Sequence, residues 1–120
     1  MKIENRKNTR YPEIGHILAP ELCTLPGIID DISITGCKVH YQFPVVADLE
    51  TEYEAKLSPS KNPFTNPLNL VIKPQWVKES DSKTYIGFQI QFSPDANKLA
   101  EFINHLKQLS DEENEESEII

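Results

Sequence analysis

The sequence predicts an all-β barrel of about six antiparallel strands carrying one C-terminal α-helix. Three observations lead there. Short runs that alternate apolar and polar residues recur between residues 14 and 92, each bounded by proline, glycine or a polar cluster. The clearest, Lys83–Phe92, sets Ile86, Phe88, Ile90 and Phe92 against Gln89 and Gln91. Only after it does the period lengthen from two to 3.6, where Leu99, Phe102, Ile103, Leu106 and Leu109 form one stripe. Many short strands followed by one helix bury their apolar faces as a barrel or sandwich with the helix laid over an opening or edge. A chain of 120 residues makes one such domain, with a single modest core.

Taken in order, residues 1–11 show neither period and read as a flexible arm, closed off where Pro12 holds Tyr11 extended. Residues 14–19 make a first strand, and Pro20 and Pro26 bracket a loop. Residues 27–34 make the second strand. The third, residues 37–43, turns Cys37, Val39, Tyr41 and Phe43 to the core and Lys38, His40 and Gln42 outward. Thr35-Gly36 joins the two as a hairpin. Residues 52–57 read as a fourth strand, before a loop punctuated by Pro59, Pro63 and Pro67. Residues 68–72 form another, with Pro74 requiring an edge position or a bulge before Trp76-Val77. Trp76 reads as a core residue, though its ring could serve as a stacking platform. Ser93-Pro94-Asp95 starts the helix, with Ser93 as cap, proline at the first position and a carboxylate at the positive end of the dipole. The barrel and helix thus occupy residues 12–109. Residues 110–120 read as a disordered acidic tail.

The net charge of −7 excludes a polyanion-binding surface of the non-specific kind. Most of it sits in the tail, where six acids fall among residues 110–120 without a base and leave about −1 for the rest. Cys23 and Cys37 lack metal-type spacing, and His16, His40 and His105 share none with them, so no zinc site is expected. Free thiols and the lack of a signal-like apolar segment point to the cytoplasm. No apolar run approaches the roughly 20 residues that span a bilayer. Asp30 and Asp31, adjacent on a strand, are expected on opposite faces and so form no carboxylate dyad. With four glycines and no elbow around Ser33, neither a phosphate loop nor a catalytic nucleophile is present. No enzyme is expected.

The chemistry concentrates in two stretches. Arg6 and Arg10 are the only arginines, four positions apart. A guanidinium grips the O6/N7 edge of guanine or two phosphate oxygens bidentately, and stacks on a base, as lysine cannot. Asp31 and Ser33, two apart on a strand, share one face, where a carboxylate accepts from the N1–H and amino group of guanine and a hydroxyl donates or accepts. Gly36 ends the run where a Cβ would hinder a turn or a close approach, a requirement of the backbone more than a contact. Acceptor edge and donor edge are both answered, which describes a reader of guanine nucleotides.

Arg6-x-x-x-Arg10 followed by Asp31-x-Ser33-x-x-Gly36 resembles the paired signature of the PilZ domain family, and Trp76, the strand Lys83–Phe92 and the closing helix resemble its later elements. The resemblance spans residues 5–109 and is weakest between Pro44 and Pro67. It implies a small barrel that binds the bacterial second messenger cyclic di-GMP, with Arg6 and Arg10 clamping guanines and phosphates and Asp31, Ser33 and Gly36 holding the second side. It implies no other cofactor and no metal. The arm would order on binding and present a surface to a protein partner, in motility, adhesion or biofilm machinery. The alternative is a PilZ-like adaptor that works by protein contact without nucleotide; such relatives typically lack the arginine pair. Asn5 stands where many relatives carry arginine or a bulky residue, and whether one nucleotide or a stacked pair is held stays open.

Overall fold

The structure, a computed structural model, describes residues 14–60 and 66–119, with side chains as far as residue 109. The arm that carries Arg6 and Arg10 lies outside the described residues. Six strands follow one another: β1 (Gly15–Leu18), β2 (Gly27–Ile32), β3 (Gly36–Tyr41), β4 (Tyr53–Pro59), β5 (Leu68–Ser80) and β6 (Lys83–Phe92). Among the described residues there is one helix, α1 (Ala96–Ile119), which follows the strands. The strands close into a barrel in the order β1-β2-β3-β6-β5-β4, every neighbouring pair antiparallel. Closure comes from β4 returning to pair with β1, His16 opposite Ser58 and Ile17 opposite Leu57. Each strand thereby has two neighbours, while the part of β5 beyond Ile72 pairs with β6 alone.

Alternation sorts the side chains. In β4, Tyr53, Ala55, Leu57 and Pro59 point inward and the residues between them outward. Ile17, Val39, Leu57, Ile72 and Ile86 are wholly removed from solvent at the barrel axis. The buried hydroxyl of Thr84 is satisfied, donating to the Phe43 carbonyl (3.0 Å) and accepting from Val45 N–H (2.9 Å).

β5 is one strand of 13 residues where the sequence suggests two pieces. Pro74 is accommodated by a bulge, because the register slips between Pro74 and Trp76 and leaves Gln75 unpaired; a residue without an N–H is tolerated where the ladder is already interrupted. Beyond the bulge β5 rises past the barrel, and Trp76, expected in the core, is 43% exposed on the outer surface. Its indole lies over Gly87, directly opposite in β6: a Cβ there would stand 2.2 Å from Trp76 Nε1. The bare backbone of Gly87 is what leaves room for the ring.

α1 starts at Ala96, two residues later than the sequence implies and without an acid in its first turn, Asp95 O accepting the Leu99 N–H (2.9 Å); the hydrogen bond expected of Ser93 is present. Ser93 Oγ accepts Asp95 N–H (3.0 Å), and the Asp95 carboxylate accepts the Asn69 backbone N–H (2.8 Å), tying the helix start to β5. Leu99, Phe102 and Ile103 are buried against the barrel, with Leu106 half-buried beside them. The helix does not stop at residue 109: its backbone continues to Ile119, through the segment expected to be a disordered tail. Low apolar content bears on whether a segment packs, not on whether a helix already nucleated can elongate through glutamates, which are good helix formers.

Candidate ligand-binding site

The strand that presents the candidate carboxylate is not regular. In β2, Ile29 pairs with Val39 but Asp31 pairs with Lys38, so Asp30 is an extra residue in a β-bulge. The sequence expectation that Asp30 and Asp31 face opposite sides is thereby corrected: both are exposed. The next residue, Ile32, turns inward opposite Cys37 and packs on the core. The cause is register. Uninterrupted alternation after the inward Ile29 would send Asp31 into the barrel and Ile32 to water, and one inserted residue reverses that.

Ser33 is also placed differently from the expectation that it shares a strand face with Asp31. β2 ends at Ile32, and Ser33 opens the turn into β3. There its N–H donates to the Gly36 carbonyl (2.8 Å) and its hydroxyl accepts Thr35 N–H (3.3 Å) while lying 3.2 Å from the Thr35 hydroxyl. The turn is pinned to β6 by Ile90 N–H donating to Thr35 O (2.9 Å). Gly36 is required by that same neighbour, since a Cβ would sit 2.5 Å from the Phe88 carbonyl oxygen. The structure therefore gives a barrel-packing reason for the glycine.

Asp31 and Ser33 do come together, with Asp30 beside them, on one wall of a cleft of about 330 Å³, within the range of small-ligand sites. Ile14 shares their wall, and Ile103, Leu106 and Leu109 of α1 form the other, with Lys107 a cation at the rim. The helix stripe that covers the barrel thus also walls the cleft. Outside it, pairing sets Asp31, Lys38, Gly87 and Trp76 in one row across β2, β3, β6 and β5, about 14 Å from first to last at the usual strand spacing. Lys38 Nζ lies 5.7 Å from the Tyr85 ring centre on the same face. Beneath the site, the Cys37 thiol is pushed up to about 12, by burial first and then by the Asp31 charge. Cys23 and Cys37 are free thiols.

Of the residues singled out from sequence, Asp31, Ser33 and Gly36 come together, Gly36 as support rather than wall. Arg6 and Arg10 lie outside the described residues. Sequence reasoning missed Asp30, Lys38, His40 and the helix wall. The doublet Asp30-Asp31 between Ile29 and Ile32 breaks strict alternation, and that break was the available signal of a bulge. Among the described residues no cluster of potential metal ligands occurs, and no helix is long and apolar enough to cross a membrane.

No protein-family model and no curated protein sequence matches the chain. Among solved structures, it is similar to the PlzA protein of Borreliella burgdorferi, crystallised in complex with c-di-GMP. The TM-score is 0.52 and the identity 16%, over 95% of this chain and 51% of that one. The chain spans about half the length of that protein. The likeness is one of fold: a closed six-strand antiparallel barrel with one C-terminal helix, the PilZ-like architecture.

Proposed function

We propose that this chain is a bacterial cytoplasmic receptor for cyclic di-GMP, read by Arg6 and Arg10 from the arm and by Asp31 and Ser33 from the barrel, with Gly36 shaping the turn. The observation that carries the reading is the convergence of Asp31, Ser33 and Ile14 on one cleft. Arg10 stands four positions before Ile14, a span of at most about 14 Å, which puts that cleft within reach of its fork. The fold likeness to a protein crystallised with c-di-GMP supports the same ligand.

The chemistry divides by charge. Asp31 accepts from the N1–H and amino group of a guanine, and Ser33 supplies a hydroxyl beside it. The two guanidinium groups take the phosphates and the O6/N7 edge, a pairing the acidic barrel wall cannot make by itself. The exposed Trp76, in the Asp31 row, offers a π-face for the second base. Ordering the arm against the barrel creates a surface that the free protein lacks, and a protein partner reads it. Ordering costs affinity and provides the signal.

Isothermal titration calorimetry with cyclic di-GMP tests this, with GTP and cyclic di-AMP as controls and an Arg6→Ala/Arg10→Ala double variant. Micromolar or tighter binding by the native chain alone is expected, and the titration gives the stoichiometry. No heat and no competition at high ligand concentration would overturn it. That outcome would favour the adaptor reading, for which the apolar helix wall of the cleft is the supporting feature.

A further inference from the structure

The bulge in β2 is held by a contact at the edge of the cleft, made by Asp30, which itself lines the cleft beside Asp31. Asp30, the inserted residue, turns its carboxylate back along the strand to His40 on β3, with Oδ1 2.8 Å and Oδ2 3.0 Å from Nδ1. His40 pairs with Ile28, two positions before the inserted residue, so the contact spans the irregularity. The far ring nitrogen, Nε2, lies 3.3 Å from the amide nitrogen of Gln42. An amide nitrogen only donates, so Nε2 accepts, Nδ1 carries the hydrogen, and the Asp30 carboxylate accepts the Nδ1–H hydrogen bond. The Tyr85 ring packs 5.7 Å from the imidazole and completes the seat.

We propose that Asp30 and His40 form a clamp that sets the β2 bulge and so aims Asp31 at the cleft, acting as positioning residues for the nucleotide site. The role rests on the nucleotide reading given above. The physical requirement is plain: Asp31 faces outward because one residue is accommodated before it, and an unheld bulge can migrate along the ladder. A bulge moved past Asp31 would turn that carboxylate into the barrel and Ile32 to solvent. A charged side chain is costly there, and the ligand would lose its acceptor.

The test uses the full chain with Asp30→Ala, Asp30→Asn and His40→Ala, and Lys56→Ala on the exposed face of β4 as control. Amide resonances of Asp31 and Ser33 and the imidazole ¹⁵N shifts of His40 are recorded without nucleotide, and cyclic di-GMP affinity is measured separately. The native chain should show the His40 Nδ1–H in a hydrogen bond to Asp30. Asp30→Ala and His40→Ala should move the Asp31 and Ser33 amides and weaken binding roughly tenfold, the scale of one lost charge-assisted hydrogen bond. Asp30→Asn keeps an acceptor for Nδ1–H and should stay near the native values, as should Lys56→Ala. The clamp is overturned if Asp30→Ala leaves those amides in place, or if Asp30→Asn loses as much as Asp30→Ala. Absence of binding by the native chain overturns the nucleotide reading instead, and the amide resonances still decide the clamp.

Discussion

In the proposed receptor, single residues carry the recognition. Removing either guanidinium by Arg6→Ala or Arg10→Ala should cost about 1.5–3 kcal/mol for lost charged hydrogen bonds, roughly ten- to a hundredfold in the calorimetric dissociation constant. Arg→Lys at either position should restore little, because the planar fork is what matches guanine and phosphate. The thiol of Cys37 makes a different statement. Its pKa is raised from an ordinary 9.0 to about 12 by burial and by Asp31. The unfolded chain therefore releases that proton at lower pH than the folded one, and stability falls as pH rises from about 9 toward 12. The slope is at most about 1.4 kcal/mol per pH unit for the group. Urea midpoints at pH 8 and pH 10.5 measure the loss, and Cys37→Ala should reduce it; a share remains, since burial chiefly, with the nearby Cys23 charge, still raises the Tyr41 phenol in that variant. Gly36 was legible as a backbone requirement. What requires it was not, because the Phe88 carbonyl comes from a strand some fifty residues away in sequence.

Elements were legible where their signals are local. The Ser93-Pro94-Asp95 start of α1, the alternation of β6 and the bulge that Pro74 demands all depend on neighbours within a few residues. The β5–β6 turn was not read, since Asp81 and Ser82 lack the glycine or asparagine that usually marks it. Both hold positive φ, 55° and 67°, as a two-residue turn of the kind that matches strand twist requires. A serine side chain is strained there. Ser82→Gly should stabilise the protein by about 0.5–1 kcal/mol, the relief of strain exceeding the added freedom of the unfolded chain; the shift in urea midpoint checks it. The bulge at Asp30 was missed for the opposite reason. The polar doublet that breaks the alternation is equally compatible with an ordinary exposed end, and the pairing of Ile29 with Val39 and Asp31 with Lys38 decides for the insertion.

At the scale of the whole molecule, barrel and helix share one core and one cleft. Phe102, 2% exposed, anchors α1 to the barrel, and the neighbouring Ile103 walls the cleft. Phe102→Ala should destabilise by about 3–5 kcal/mol, read as a fall in thermal midpoint. It should also weaken cyclic di-GMP binding at temperatures where the barrel remains folded, because a loosened helix no longer closes the site. Unchanged affinity would mean that the helix wall takes no part in binding.

The sequence by itself determined the strand periods, the turn and cap chemistry, the single helix stripe and the two motif stretches, because each is written in residues close together along the chain. Tertiary structure decided the rest: that β4 closes on β1, that Trp76 lies outside over Gly87, that Asp31 faces solvent, and that the helix meets the Ser33 turn. Those outcomes depend on register between strands distant in sequence. A slip of one residue there reverses every side chain beyond it, and no local window of the chain contains that information.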